Sequence, residues 1–499
     1  MTTPSKADFL KLSKKHNLIP VYREILADLE TPVSCFLKVG ERPYSYLLES
    51  VEGGETMARY SFIGASHSLI FRSQDREITI QRSGCSDERF VTTKDPLFEL
   101  EKLLSVYQEA SVLGLPPFSG GAVGYMGYDA VRFIEKIPNK NPDVYKIPDS
   151  VFIFTDTLFV FDHLKKKIKV ICNAHMDESS DPADVYDRAV QKINDEIRVL
   201  RSGLSGNAAM FDPAKDAKPS FKSNFSEAEF KKIVLKAKEH IKKGDIFQVV
   251  LSQSLSTPIK AAPFDVYRSL RSVNPSPYMF YLNCKDFVLA GSSPEVHVRC
   301  EDRKAILRPI AGTRPRGRDT KEDQKLQQEL LADTKEKAEH LMLVDLGRND
   351  LGRVCEYKSV KVPEFMVIEK YSHVMHIVSL VEGLLKKGKT VFDLLRATFP
   401  AGTISGSPKV KAMEIIDKLE NQKRGFYSGV VGYFSYSGNL DSCITIRTIL
   451  MKDGTAYVQA GAGVVADSDP KKEYEETLNK ARALLVAIAN AEKGLGETF

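Results

Sequence analysis

The chain has no tryptophan at all, although phenylalanine (26) and tyrosine (19) are common among its 499 residues. That absence alone decides nothing. The seven cysteines are more informative: none forms a C-x-x-C pair and the number is odd. This argues against a zinc ribbon and against a disulfide framework, and it fits a reduced, cytoplasmic setting. No window approaches the ~18 consecutive apolar residues of a membrane span. The opening MTTPSKADFLKLSKKHNL lacks the apolar stretch of a signal peptide. A Walker A loop, H-E-x-x-H, G-x-S-x-G and a dinucleotide fingerprint are all missing, so generic nucleotide, zinc-protease and serine-hydrolase readings lose their motifs. Charge of one sign is also lacking. Lys+Arg 71 against Asp+Glu 66 leaves +5, too little to argue for a nucleic-acid partner. An anionic small substrate stays open, because its site needs only a few local charges. What is present is ordinary for a globular protein: 42% apolar and 27% charged residues.

Ser202–Ser223 (SGLSGNAAMFDPAKDAKPSFKS) has no periodicity and reads as a linker or long surface loop. Beyond it, Ser226 and Glu229 form a capping box before FKKIVLKAKEHIKKG, a helical pattern. The strand-like stretches are 246–255, 278–283, 287–290, 296–300, 443–450 and 456–460. The helix-like stretches are 321–347, 373–386, 408–419 and 470–493. Mixed without βαβ alternation, these predict an α+β fold with mostly antiparallel pairing. GAVGYMGYD (121–129) and GVVGYFSYS (429–437) echo one another. Either they are equivalent hairpins left by a duplication, or they are unrelated Gly/Tyr-rich strands.

Five segments could carry chemistry. RPIAGTRPRGR (308–318) has two prolines, two glycines and four arginines, so it predicts an irregular loop suited to a carboxylate or phosphate. EKAEHLMLVDLGRNDLGRV (336–354) places Glu336 and Glu339 on one helical face. ATFPAGTISGSPKVKAMEIID (397–417) offers a small polar loop and a helix start at Pro408. In QAGAGVVADSDPKKEYEETLNKARALL (459–485), Gly461, Ala462 and Gly463 read as a compact turn. The helix after it aligns Glu473, Glu476 and Lys480, a plausible hard-cation site or a salt-bridged surface. In YSHVMHIVSLVEG (371–383), His373 and His376 would share a helical face.

Taken in order, these segments resemble the chorismate-utilising enzymes, most closely the component I branch of anthranilate synthase. The carrying residues are SPE (293–295), PIAGTRPRG (309–317), EHLMLVDLGRNDLGRV (339–354), GTISGSPKVKAMEII (402–416), GYF (432–434), CITIRT (443–448) and QAGAGVVADSDP (459–470). The resemblance covers most of 226–490, and LLES (47–50) extends it into the N-terminal part.

The resemblance implies an α+β fold with a large antiparallel β-sandwich core and flanking helices. It implies an N-terminal domain (1–205) carrying part of a feedback-inhibitor site, a linker (206–223) and a chorismate-binding catalytic domain (224–499). The expected activity converts chorismate and ammonia to anthranilate and pyruvate with Mg²⁺. Glu339, Glu476 and Glu473 are the expected metal-binding group. Gly312, Thr313, Tyr427, Arg447, Gly461, Ala462, Gly463 and Lys480 are expected around the substrate. His376, Glu295 and Thr403 are expected in catalysis, with Glu295 as acid and His376 as base. Leu48, Glu49, Ser50, Pro277, Tyr278 and Met279 are expected to hold the inhibitor tryptophan. Ammonia is expected from a glutamine amidotransferase subunit, because no cysteine here stands in a nucleophile elbow. The alternative is an aminodeoxychorismate or aminodeoxyisochorismate synthase component. As the family pattern implies, the former carries a nucleophilic Lys where this chain has Ala311. Isochorismate and salicylate synthases carry a Lys base where it has Gln248. Neither a membrane nor a nucleic acid is expected as partner. An enzyme needed when tryptophan is scarce is easier to make without it, which accords with its absence here.

Overall fold

The computed structural model describes residues 2–50, 59–82, 84–203, 220–371 and 374–494. Among them, 23 strands join one hydrogen-bonded network. Every strand-to-strand ladder that we trace is antiparallel, for example Gln248–Pro258 with Thr455–Val464 and Tyr278–Asn283 with Val288–Ser293. Helices pack on this sheet, and none is long and apolar enough among the described residues to cross a membrane.

Strand periodicity sorts side chains into separate cores. In Tyr278–Asn283, which is buried on both faces, Met279 and Tyr281 join a core backed by the helices Pro182–Arg201, Pro263–Val273 and Pro470–Gly494. Phe280 and Leu282 point the other way, into a core with no contribution from those helices. There they meet Val151 and Ile153, whose neighbours Phe152 and Phe154 face a third core. An apolar layer fed by strands and the loops between them, with no helix, is what two sheet faces create when they close on each other. This is the sandwich interior expected from the sequence.

Strands from both sides of the 206–223 segment interleave. Tyr46–Glu49 pairs with Tyr278–Asn283. The two echoing motifs lie side by side: Gly121–Met126 pairs with Val430–Ser435, and Gly124 stands opposite Gly432. A Cβ on Gly124 would meet the Val151 carbonyl at 1.9 Å, and one on Gly432 the Asp441 carbonyl at 2.1 Å. Shared close packing therefore explains why both strands carry glycine at this register. Most of 206–223 lies outside the described residues; its last two, Lys222–Ser223, form a short strand on Gln248–Pro258.

Several elements differ from expectation. The helix expected over 373–386 is not observed in its described part: Val374–Leu384 is a strand, with Met375, Ile377, Ser379, Val381 and Gly383 buried at period two. His373 lies outside the described residues. The stretch 308–318 is not wholly irregular, for Ile310–Pro315 is a strand. Its register shifts at Gly312, whose φ of +68° glycine tolerates readily. Gly461 through Gly463 belong to the strand Thr455–Val464 and form no turn. The single helix expected at 321–347 is two, Thr320–Ala332 and Thr334–Gly352, with Asp333 capping the second. The strand expected over 443–450 is likewise split, into Leu440–Ile444 and Thr448–Lys452, with Arg447 in the gap at φ +50°.

Candidate active site

A cavity of about 790 Å³ lies where the helices Thr334–Gly352 and Pro470–Gly494 meet the strands Gln248–Pro258, Ile310–Pro315, Val374–Leu384 and Thr455–Val464. Its lining gathers Glu295, Gly312, Thr313, Glu339, His376, Thr403, Tyr427, Arg447, Gly461, Gly463, Glu473, Glu476 and Lys480 from across 186 positions of sequence. Ala462 is the exception. Alternation along its strand turns Gly461 and Gly463 to the cavity and Ala462 away, fully buried.

His376 stands opposite Thr313 in the ladder. Its Nδ1 lies 3.0 Å from the Gly312 carbonyl oxygen and 3.1 Å from Thr313 Oγ1. A carbonyl only accepts, so Nδ1 carries the hydrogen and Nε2 keeps the lone pair. Burial lowers the imidazole pKa below its usual value, so the neutral ring dominates at pH 7. Across the cavity, Glu295 follows the strand Val288–Ser293. Burial pushes its carboxyl pKa up to about 7. The Thr403 hydroxyl beside it opposes that shift. The Thr403 oxygen is buried at the cavity wall, so its hydroxyl faces this carboxyl and the cavity. A neutral base and a protonatable acid thus line one chamber, which is the pairing proton transfer in both directions needs.

Arg447 brings positive charge. Its backbone is in the left-handed region, and its carbonyl accepts the Ser292 N–H at 3.0 Å. It takes part in no ion pair within 4 Å among the described residues, and burial lowers its pKa. A desolvated guanidinium without a carboxylate partner suits an anionic ligand. On the other side, Lys480 pairs with Glu476 at 2.7 Å and donates to the Gly461 carbonyl at 3.0 Å.

The acidic groups come from two helices. Gln248 Nε2 donates to Glu339 Oε1 at 2.9 Å. Burial raises the Glu339 pKa, and the nearby Glu336 and Glu476 add to the shift. Burial likewise raises Glu473, with Glu476 adding to it. No three His, Cys, Asp or Glu side chains among the described residues already form a closed ligand group. The donor set still fits Mg²⁺, which takes one or two carboxylates and completes its octahedron with water and substrate oxygens. A cation would offset the repulsion from neighbouring carboxylates that adds to burial in raising Glu339 and Glu473. Gln248, Lys335, Glu336, Tyr371 and Gln459 also line the cavity. The sequence marks Gln248 as the position of an absent Lys base and Glu336 as a neighbour of Glu339 on one helical face; Lys335, Tyr371 and Gln459 carry no such signal.

A second cavity, of about 280 Å³, is lined by Leu48, Glu49, Ser50, Pro277, Tyr278 and Met279 together. Glu49 is buried and accepts from Tyr267 Oη and from both Nε and Nη2 of Arg271, at 3.1 and 3.2 Å. Tyr278 Oη donates to Asp441 at 2.9 Å, and Arg299 stands 3.8 Å from the same carboxylate. Pro277 lines both cavities.

Comparison with known proteins agrees with this geometry. The chorismate binding enzyme family matches residues 44–486. Anthranilate synthase component 1 of Acetivibrio thermocellus is 49% identical over 98% of this chain and 99% of its own length. That of Pseudomonas aeruginosa is 47% identical over 98% and 100%. The crystal structure of anthranilate synthase component I from Streptococcus pneumoniae superposes with a TM-score of 0.77 at 38% identity, covering 86% of this chain and 92% of that one. The menaquinone-specific isochorismate synthase of Escherichia coli shares the fold, with a TM-score of 0.69 at 18% identity over 97% and 99%. The chain therefore belongs to the chorismate binding enzymes, among the anthranilate synthase component 1 proteins.

Proposed function

We propose that this chain joins ammonia to C2 of chorismate, expels the C4 hydroxyl as water and releases pyruvate, leaving anthranilate. The observation that carries the reading is the placement of Glu295 and His376 in one cavity with Arg447 and the carboxylates of two helices. Chorismate carries two carboxylates, and the cavity offers a counter-charge for each. Arg447 and the wall at Gly461 and Gly463 hold the enolpyruvyl carboxylate. Glu339 and Glu476, with Glu473 beside them, would hold Mg²⁺. Bound there, the ion would neutralise the ring carboxylate and draw electron density from the diene.

Glu295, protonated up to about pH 7, gives its proton to the departing C4 oxygen. Thr403 donates towards the same region, and Tyr427 packs against the ring. After amination, Nε2 of His376 takes the C2 proton. The electrons of that C–H bond aromatise the ring as the C3–O bond breaks, and the departing enolpyruvate takes up a proton at its methylene carbon, from the His376 imidazolium or from water, to become pyruvate. Gln248 and Ala311 line the cavity, and neither side chain can act as a base or a nucleophile. This supports ammonia as the attacking group and speaks against the aminodeoxychorismate alternative.

A separate glutamine amidotransferase would supply the ammonia, as the component 1 name of the relatives suggests. Six of the seven cysteines are buried, so this chain offers little to a glutamine carboxamide. The thiols suit the reducing cytoplasm. The smaller cavity would take tryptophan, with its ring among Met279, Phe62 and Tyr433 and its ammonium near Asp441 and Glu301. The test is incubation with chorismate, ammonium and Mg²⁺. Fluorescent anthranilate and pyruvate in equal amounts support the reading; an amino product that keeps its enolpyruvyl group overturns it.

A further inference from the structure

Arg424 is the largest fully buried side chain among the described residues, yet it does not line the catalytic cavity. All five of its N–H donors are used. Nε and Nη2 bind the two carboxylate oxygens of Glu420 at 3.0 and 2.7 Å. Nη2 also donates to the Val250 carbonyl at 2.7 Å. Nη1 donates to the Ile404 carbonyl at 2.8 Å and to Ser428 Oγ at 3.2 Å. The guanidinium carbon lies 5.5 Å from the centre of the Tyr427 ring and 4.9 Å from that of Tyr128.

Three of these contacts are with the catalytic cavity from behind: Val250, Ile404 and Tyr427 all line it, and Ile404 follows Thr403. Glu420 extends the reach to a fourth lining residue. Its Oε1 accepts the Ser252 N–H and hydroxyl at 2.9 and 2.8 Å, and Ser252 Oγ accepts from Gln459 Nε2 at 2.8 Å. A buried ion pair is costly to desolvate, and apolar replacements of the same volume often stabilise a protein as well or better. Its use here is geometric. Only a planar fork with five fixed donors can bind a carboxylate side-on and still reach two carbonyls from different elements.

We infer that Arg424, held by Glu420, is the positioning residue of this active site, fixing Tyr427, the Thr403–Ile404 turn and the Val250 strand for the reaction. The inference rests on the proposed reaction. Lysine keeps the charge at this position and loses the fork. Arg424→Lys and the milder Glu420→Gln are compared with the parent in ammonium-dependent turnover, at temperatures where circular dichroism shows each fully folded. Per folded molecule, kcat of Arg424→Lys should fall about tenfold to a hundredfold, the effect expected of a small misplacement in a preorganised site. Glu420→Gln should fall less. The alkaline limb of the kcat profile should also move in both, because Thr403 is no longer set against Glu295. A purely structural role would lower the melting temperature and leave both readouts where they were. Parent-like kcat and an unmoved limb in whichever variant folds would overturn the inference. A parent that makes no anthranilate would instead overturn the proposed reaction.

Discussion

His376 Nδ1 and the Gly312 carbonyl oxygen are 3.0 Å apart, and the register shift at Gly312 sets that contact within the ladder joining their strands. The hydrogen bond chooses the tautomer, so the bulge in one strand decides which nitrogen of the next keeps its lone pair. His376→Asn should keep chorismate binding and lose anthranilate formation by at least about a hundredfold, within the range of general-base catalysis. Mass spectrometry should find an amino product that still carries the enolpyruvyl group. Undiminished pyruvate release would remove His376 from the step.

Burial shifts the proposed proton-transfer groups in opposite directions, lowering His376 and raising Glu295, and the pH profile should show both. His376 must be neutral, and burial lowers its pKa, so activity should persist well into mildly acidic solution. Glu295 must be protonated, so kcat should decline as pH rises through about 7. A kcat that climbs steadily to pH 9 with no alkaline limb before it would exclude Glu295 as the acid.

The same carboxyl affects stability. Folding raises its pKa from 4.5 to about 7, so the folded state binds the proton more tightly than the unfolded chain. Stability from this group is full at acidic pH and is lost as pH rises from the usual carboxylate range through about 7. Glu295→Gln should therefore be more stable than the parent at pH 8, by up to about 3 kcal/mol, and indistinguishable from it near pH 4. Urea unfolding at the two pH values checks this, while the variant should lose turnover.

Tryptophan, if it fills the smaller cavity, binds the folded state alone. At a hundredfold excess over its dissociation constant it should add about 2.7 kcal/mol to stability. A rise in melting temperature with tryptophan, reduced in Ser50→Ala, would place it beside Leu48, Glu49 and Ser50. Equal shifts in both proteins would move it elsewhere.

Legibility followed the range of the physical signal. The capping box at Ser226 and Glu229 and the strand Tyr278–Asn283 are written in a few adjacent residues, and both formed where expected. The helix Pro470–Gly494 carries its own apolar stripe and was equally plain. Residues 374–384 failed because two histidines three apart suggested a helical face. The alternation Met375, Ile377, Ser379, Val381 in the same stretch is the stronger signal. Gly461 to Gly463 looked like a turn by composition, but their small side chains serve close packing in a strand. A Cβ on Gly461 would meet Tyr427 Oη at 2.7 Å. Contacts such as Gln248 to Glu339, or Arg424 to Ile404, join segments that are 91 and 20 residues apart. No local pattern announces them, since only the closed fold brings the partners together.

We propose that carboxylates from two helices grip a divalent ion at one end of the substrate. This grip is tested most directly by titrating Mg²⁺ into the parent, Glu339→Gln and Glu476→Gln in chelator-buffered solution, with chorismate and ammonium saturating. Each variant should need at least about ten times more Mg²⁺ for half-maximal turnover, the loss expected when a ligand or its close support is removed. If both turn over as fast as the parent where free Mg²⁺ is vanishingly low, the metal does not sit between these helices.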